Sequence, residues 1–128
     1  MAVTSVNCPS LDDTGTPGGL LSVTVERSGD VSVVRAAGEI DLYTAQALRI
    51  ATGAAVSTGA IIAVDLSAVT FLAAEGLSIL VDTRKLAQRR GTRLYLIARH
   101  RAVLRPLELT GLTATFTIVD DLSGVDPS

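Results

Sequence analysis

The sequence is poor in the groups that most catalytic and cofactor sites require. It holds one histidine, one cysteine, no tryptophan, two tyrosines and two phenylalanines in 128 residues. A lone Cys8 excludes an internal disulfide and suits a reducing compartment, while a bridge between two chains stays chemically open. One histidine and one cysteine among scattered carboxylates make a poor ligand set for a transition metal. An aromatic content of 3% leaves little on which nucleic-acid bases could stack. No glycine-rich loop runs into Lys-Ser or Lys-Thr, so nucleotide hydrolysis at a phosphate-binding loop is disfavoured. No apolar run approaches the roughly 18 residues of a membrane span, and no basic stretch leads into a long apolar core near the N-terminus. Membrane insertion is therefore not expected, and the expected location is cytoplasmic.

What is present is aliphatic. Apolar residues make up 48% of the chain and the formal charge is −2, which suits one compact domain and argues against a uniformly basic nucleic-acid binder. The charge is segregated. Residues 1–82 hold nine acids and three bases, residues 84–105 hold eight bases and no acid, and residues 106–128 hold four acids.

Residues 1–19 carry Pro9, Gly15, Pro17, Gly18 and Gly19 without a sustained hydrophobic period and read as a flexible leader. Alternation from Leu20 to Glu26 and from Val31 to Arg35, about a turn at Ser28-Gly29-Asp30, predicts a hairpin whose second strand stops at Gly38. Thr44 is the expected N-cap of a helix reaching about Ser57, with Ala45, Leu48, Thr52, Ala55 and Val56 facing inward. Ala60–Val64 is apolar on both faces, as in a central strand covered on two sides. A loop over Asp65–Phe71 follows, with Phe71 expected in the core.

A second helix is expected over Ala74–Arg90, with Leu77, Leu80, Val81, Arg84 and Ala87 inward and Gly91 as its stop. Further strands are expected over about 94–98 and 115–119, separated by a short helix, about Arg101 to Leu109, that Pro106 would kink or delay. The fold class is therefore α/β: a single small domain with a mixed sheet of about five strands and packed helices. Its expected extent is 20–121, followed by a short tail over 122–128.

The carboxylates Asp41, Asp65 and Glu75 each follow a strand or open a helix, where α/β folds often build sites. Converging, they could bind magnesium or serve as acid and base; singly, they bond nearby amides or favour a helix N-terminus. His100 lies among arginines near a helix start, where solvation accounts for it, and no nucleophile is paired with a base. No catalytic, metal or cofactor site is therefore expected. Positive charge at the end of the second helix suits the helix dipole, and the basic block as a whole suits a solvated face or an anionic partner. The turn Ala73–Gly76 mixes small residues with large ones at the mouth of a helix, a surface that another protein could approach closely.

Three segments together resemble the sulfate-transporter and anti-sigma-factor-antagonist (STAS) domain family, in particular its small stand-alone bacterial members. They are Gly38-Glu39-Ile40-Asp41, Val64-Asp65-Leu66-Ser67 and Leu107-Glu108-Leu109-Thr110-Gly111-Leu112, and the resemblance spans about Leu20 to Asp120. It implies a non-enzymatic regulator that binds a serine-kinase-type anti-sigma factor and so frees a sigma factor, with no direct contact to nucleic acid. Asp41, Ala73, Ala74, Glu75, Gly76 and Leu77 are then the expected partner-binding residues.

In such antagonists the turn before the second helix reads Asp-Ser-Ser-Gly or Asp-Ser-Thr-Gly, and its first serine accepts phosphate. Here Ala73, Ala74, Glu75 and Gly76 stand in that order, so the acceptor position is Ala74, a methyl group that cannot be phosphorylated. The resemblance implies constitutive binding in preference to partial mimicry of phosphate by Glu75, whose single charge sits one residue later. Ser67, Thr70 and Ser78 are other hydroxyls near the turn. The alternatives are a structural adaptor in a larger signalling or membrane-associated assembly and a carboxylate-dependent metal-assisted enzyme, and homodimerisation is open.

Overall fold

The computed structural model describes residues 3–11 and 17–125, with side chains from Leu21 onward. The sheet has six strands in the order of the chain, one more than expected: β1 (Val3–Leu11), β2 (Pro17–Ser28), β3 (Val31–Ile40), β4 (Ile61–Leu72), β5 (Arg93–Ile97) and β6 (Thr117–Val119). β1, β2 and β3 run antiparallel, and β3 to β6 run parallel. The parallel crossovers are α1 (Ala45–Thr58), α2 (Ala74–Arg90) and α3 (Arg101–Leu109), the last followed by a 3-10 turn at Leu112–Ala114. The class is the mixed α/β sheet expected.

The added strand lies where a flexible leader was expected. Val3–Leu11 pairs with β2, setting Val6 opposite Val23 and Cys8 opposite Leu21. It is an edge strand held by backbone pairing on one side, the position in a sheet that tolerates Pro9. The remainder of the leader expectation, residues 1, 2 and 12–16, lies outside the described residues, as do tail residues 126–128.

β4 is longer than its apolar run. Asp65–Phe71, expected as a loop, continues the strand and pairs with an equally extended β3, so that Ala68 faces Ala37, Phe71 faces Glu39 and Leu72 faces Ile40. Gly38 does not end β3; it takes φ 117° beside a register shift in the ladder, a conformation open to glycine. The polar residues that suggested a loop are accommodated in the strand. Asp65 lies 3.5 Å from Arg35, which also meets Glu26 at 2.8 Å, and the Ser67 amide and hydroxyl donate to Asp65 Oδ1.

The core lies between the sheet and its helices. Val23, Val34, Ile62, Val64 and Leu96 from the strands meet Leu48, Ala51 and Ala55 of α1, Ile79, Leu80 and Ala87 of α2, and Val103 and Leu107 of α3. The small residues of α1 let it pack close to the sheet. On the other side Ile61, Ala63 and Ile97 are buried with Val125, which explains why Ile61–Val64 is apolar without alternation. Leu122–Gly124, expected in a short tail, forms a 3-10 turn that brings Val125 onto this patch. Asp121 secures the turn: the Ser123 hydroxyl and amide both donate to its carboxylate, and these bonds hold its carboxyl below the usual range.

α2 matches its expected span, and Gly91 ends it in the left-handed region at φ 70°. Pro106 sits inside α3 without delaying its start at Arg101. The Arg84 stem crosses the core edge, and its Nε donates to the Thr115 carbonyl at 2.9 Å.

Candidate functional site

The strand ends bring the expected turn residues together. β3 and β4 finish side by side at Ile40 and Leu72, and the Ala73 amide donates to the Ile40 carbonyl at 2.9 Å. Asp41 and Ala73 are the residues that follow, so α1 and α2 start next to one another.

Thr44 holds the N-cap position of α1 as expected, but its side chain bonds no first-turn amide; Asp41 fastens the turn that leads into the helix. Asp41 Oδ1 accepts from the amides of Tyr43 and Thr44 at 2.9 and 3.0 Å, and its carbonyl accepts the first helical bond, from Ala45, at 2.9 Å. Thr44 answers one turn later, where its buried hydroxyl accepts from the Asp41 amide at 2.9 Å and donates to the Glu39 carbonyl at 2.7 Å. This reciprocal arrangement satisfies backbone donors at the helix mouth. Half-buried Asp41 is thus a structural anchor of the turn that carries Leu42 and Tyr43.

α2 begins differently. Ala73 is extended and has no side-chain acceptor for the first-turn amides, while its carbonyl accepts from Gly76 and Leu77 at 3.0 and 3.2 Å. Ala74 and Glu75 are exposed at the mouth of the helix. Gly76 is buried. A Cβ there would lie 2.5 Å from Leu72 Cδ1 and 2.7 Å from Ile40 Cγ2, so its bare Cα is what lets α2 close onto the strand ends. Leu77 is half-buried and packs against the core.

Two shallow grooves flank the first turns of α2. One, of about 300 Å³, lies between α1 and α2 and includes Leu42, Ala45, Arg49, Ala74, Glu75 and Ser78. The other, of about 350 Å³, includes Ala74, Leu77, Ser78, Val81 and Leu112. Ala74 and Ser78 form the ridge between them, one helical turn apart on the same face.

The exposure of large apolar residues on β4, α1 and the turn before α1 escaped the sequence reading. Leu42 is 65% exposed, Ile50 60% and Phe71 49%, although Phe71 was expected in the core. The available signals were Leu42-Tyr43 placed before the helix turns its inward stripe to the sheet, and Ile50 off that stripe. Leu42, a large apolar side chain left on the surface in the first groove, fits a protein-docking surface.

The three carboxylates do not form a site. Asp41 fastens the turn before α1, Asp65 serves Arg35 and Ser67, and Glu75 is exposed on α2. Among the described residues no group of three or more histidine, cysteine or acidic side chains could hold a metal ion. His100 is exposed at the start of α3, where its carbonyl accepts from Val103 and Leu104. Among the described residues no helix is long and apolar enough to cross a membrane.

The model of the STAS domain matches residues 22–124. The chain belongs to the STAS domain family. Among its relatives is the anti-sigma-F factor antagonist RsfB of Mycobacterium tuberculosis, 40% identical over 111 residues that cover 82% of this STAS chain and 89% of the relative. A crystal structure of an anti-sigma factor antagonist from Mycobacterium paratuberculosis shares 41% identity and superposes with a TM-score of 0.75, covering 80% of this chain and 88% of that one. SpoIIAA in its unphosphorylated form, an anti-sigma factor antagonist, shares the STAS fold at 16% identity and a TM-score of 0.69, covering 81% and 93% of the two chains.

Proposed function

We propose that this STAS domain is an anti-sigma factor antagonist that docks on a serine-kinase-type anti-sigma factor through the adjoining starts of α1 and α2, with no phosphate switch at position 74. The antagonist function is supported by the roughly two-fifths identity, over most of the chain, to proteins named for that activity. The observation carrying the choice of surface is exposed Leu42, which lines a groove with Ala74, Glu75 and Ser78. Leu42 and its neighbour Tyr43 are large, accessible and carried on the turn that follows β3, which the Ala73–Ile40 bond holds beside the start of α2.

The chemistry at residue 74 supports continuous binding. An exposed methyl leaves the ridge uncharged, whereas a phosphate would place about −1.5 to −2 charges between the two grooves. Glu75 adds a single negative charge at the helix mouth, where the helix dipole favours it. On this reading the antagonist acts in the cytoplasm and is controlled by something other than modification of its own residue 74.

Calorimetric titration of the full chain into each purified serine-kinase-type anti-sigma factor of its source organism tests this. The expected result is micromolar or tighter binding to at least one, with Leu42→Asp losing at least tenfold in affinity while retaining the native far-ultraviolet spectrum. Absence of binding to all of them, or a folded Leu42→Asp chain that binds unchanged, contradicts the reading.

A further inference from the structure

We propose that the exposed stripe of α2 pairs, end for end, with the same stripe of a second copy of this chain. Glu75, Ser78, Asp82, Lys85 and Arg89 are all exposed. Their alternating three- and four-residue spacing sets them in one line along the helix, on the side away from buried Gly76, Leu80, Thr83 and Ala87. The sign of charge changes once along that line. Both carboxylates, the second of them at the middle of the helix, precede both cations.

A stripe of this kind repels a parallel copy and attracts an antiparallel one. About a two-fold axis midway between Asp82 and Lys85, Asp82 of one chain meets Lys85 of the other and Glu75 comes within about one helical turn of Arg89, each approach made twice. The helix dipole accounts for Glu75 in the first turn and Arg89 in the last, but its influence fades within a turn of either end and does not reach Asp82 or Lys85. Asp82 already lies 3.0 Å from Arg49 of α1. Among the described residues no ion pair engages Glu75, Lys85 or Arg89 within the chain, so three of the four charges are available to a second copy.

Exposed ion pairs are individually weak and are screened by salt, so the pairing is weak and salt-sensitive. Its regulatory consequence rests on the docking reading above. The paired face includes Glu75 and Ser78 beside the Ala74 ridge, so a paired chain covers its own docking turn and self-association competes with partner binding.

The test uses the full chain alone, by sedimentation velocity across concentration. At about 0.01 M salt, where the screening length is about 30 Å, concentration-dependent dimers are expected; at about 1 M, where it is about 3 Å, monomers. Lys85→Glu with Arg89→Glu, or Glu75→Lys with Asp82→Lys, leaves a stripe of one sign and weakens self-association at low salt at least tenfold. Mixing the two variants restores pairing. Lys85→Gln with Arg89→Gln, which removes charge without reversing it, gives the same loss should the reversals disturb the helix, and circular dichroism checks folding throughout. A chain that stays monomeric at low salt up to roughly millimolar concentration, a dimer indifferent to these substitutions, or folded reversal variants that do not pair with each other overturns the proposal. No partner protein is present, so the result is independent of the docking reading.

Discussion

Gly76 lies directly against Ile40: a Cβ on the glycine would come 2.7 Å from Ile40 Cγ2 and 2.5 Å from Leu72 Cδ1. The close approach of α2 to the ends of β3 and β4 therefore depends on a missing methyl group. Leu72 Cδ1 is the end of a flexible side chain and can turn aside, whereas the branched Ile40 Cγ2 is fixed close to the backbone. Gly76→Ala is expected to destabilise the fold by about 1–3 kcal/mol through overpacking, despite the higher helix propensity of alanine. Urea denaturation measures this, and a neutral or stabilising result would contradict the packing at the strand ends.

The two helix mouths make opposite predictions. Asp41→Ala removes the acceptor for two amides and should cost about 1 kcal/mol. Ala73→Asp supplies an acceptor at an extended N-cap that has none, and should stabilise the chain by about 1 kcal/mol. Paired denaturation curves check both signs. Equal and small effects would mean that the caps are not arranged as described.

The Asp121 carboxyl titrates below its usual value of 3.8 because the Ser123 hydroxyl and amide donate to its charged form, with Arg99 adding a smaller favourable charge. A carboxyl lowered by folding contributes stability that is present above 3.8 and is lost as pH falls through the lowered value. Ser123→Ala removes the hydroxyl bond and should move the Asp121 titration upward, read from its carboxyl carbon resonance. No movement would show that the turn holds Asp121 by other means.

Core and surface leucines should separate cleanly. Leu48→Ala empties a fully buried position and is expected to cost about 2–5 kcal/mol. Leu42→Ala changes a mostly exposed side chain and should alter stability by less than about 0.5 kcal/mol while weakening partner binding. Thermal melts give the first comparison and calorimetry the second.

Helices and central strands were legible because their patterns follow burial. Ala45, Leu48, Thr52, Ala55 and Val56 do face inward, and Ile61–Val64 is covered on both sides. Elements held by backbone pairing were not legible. Val3–Leu11 carries no sustained apolar period, and Asp65 and Ser67 look like loop residues until Arg35 and the extended β3 are placed beside them. The candidate site divided in the same way. The turn at Ala73–Gly76 could be placed from its pattern, but the burial of Gly76, the bonds of Asp41 to the turn before α1 and the exposure of Leu42 and Phe71 depend on how two strand ends meet in space.

The most direct test of continuous docking is to incubate the chain with a serine-kinase-type anti-sigma factor that binds it, with and without magnesium ATP, and to record intact mass and affinity on the same samples. The account predicts no added phosphate on the chain and unchanged affinity after incubation, with Ala74→Ser gaining phosphate and losing affinity. Phosphate appearing on the unaltered chain at Ser67, Thr70 or Ser78 with loss of binding would contradict it.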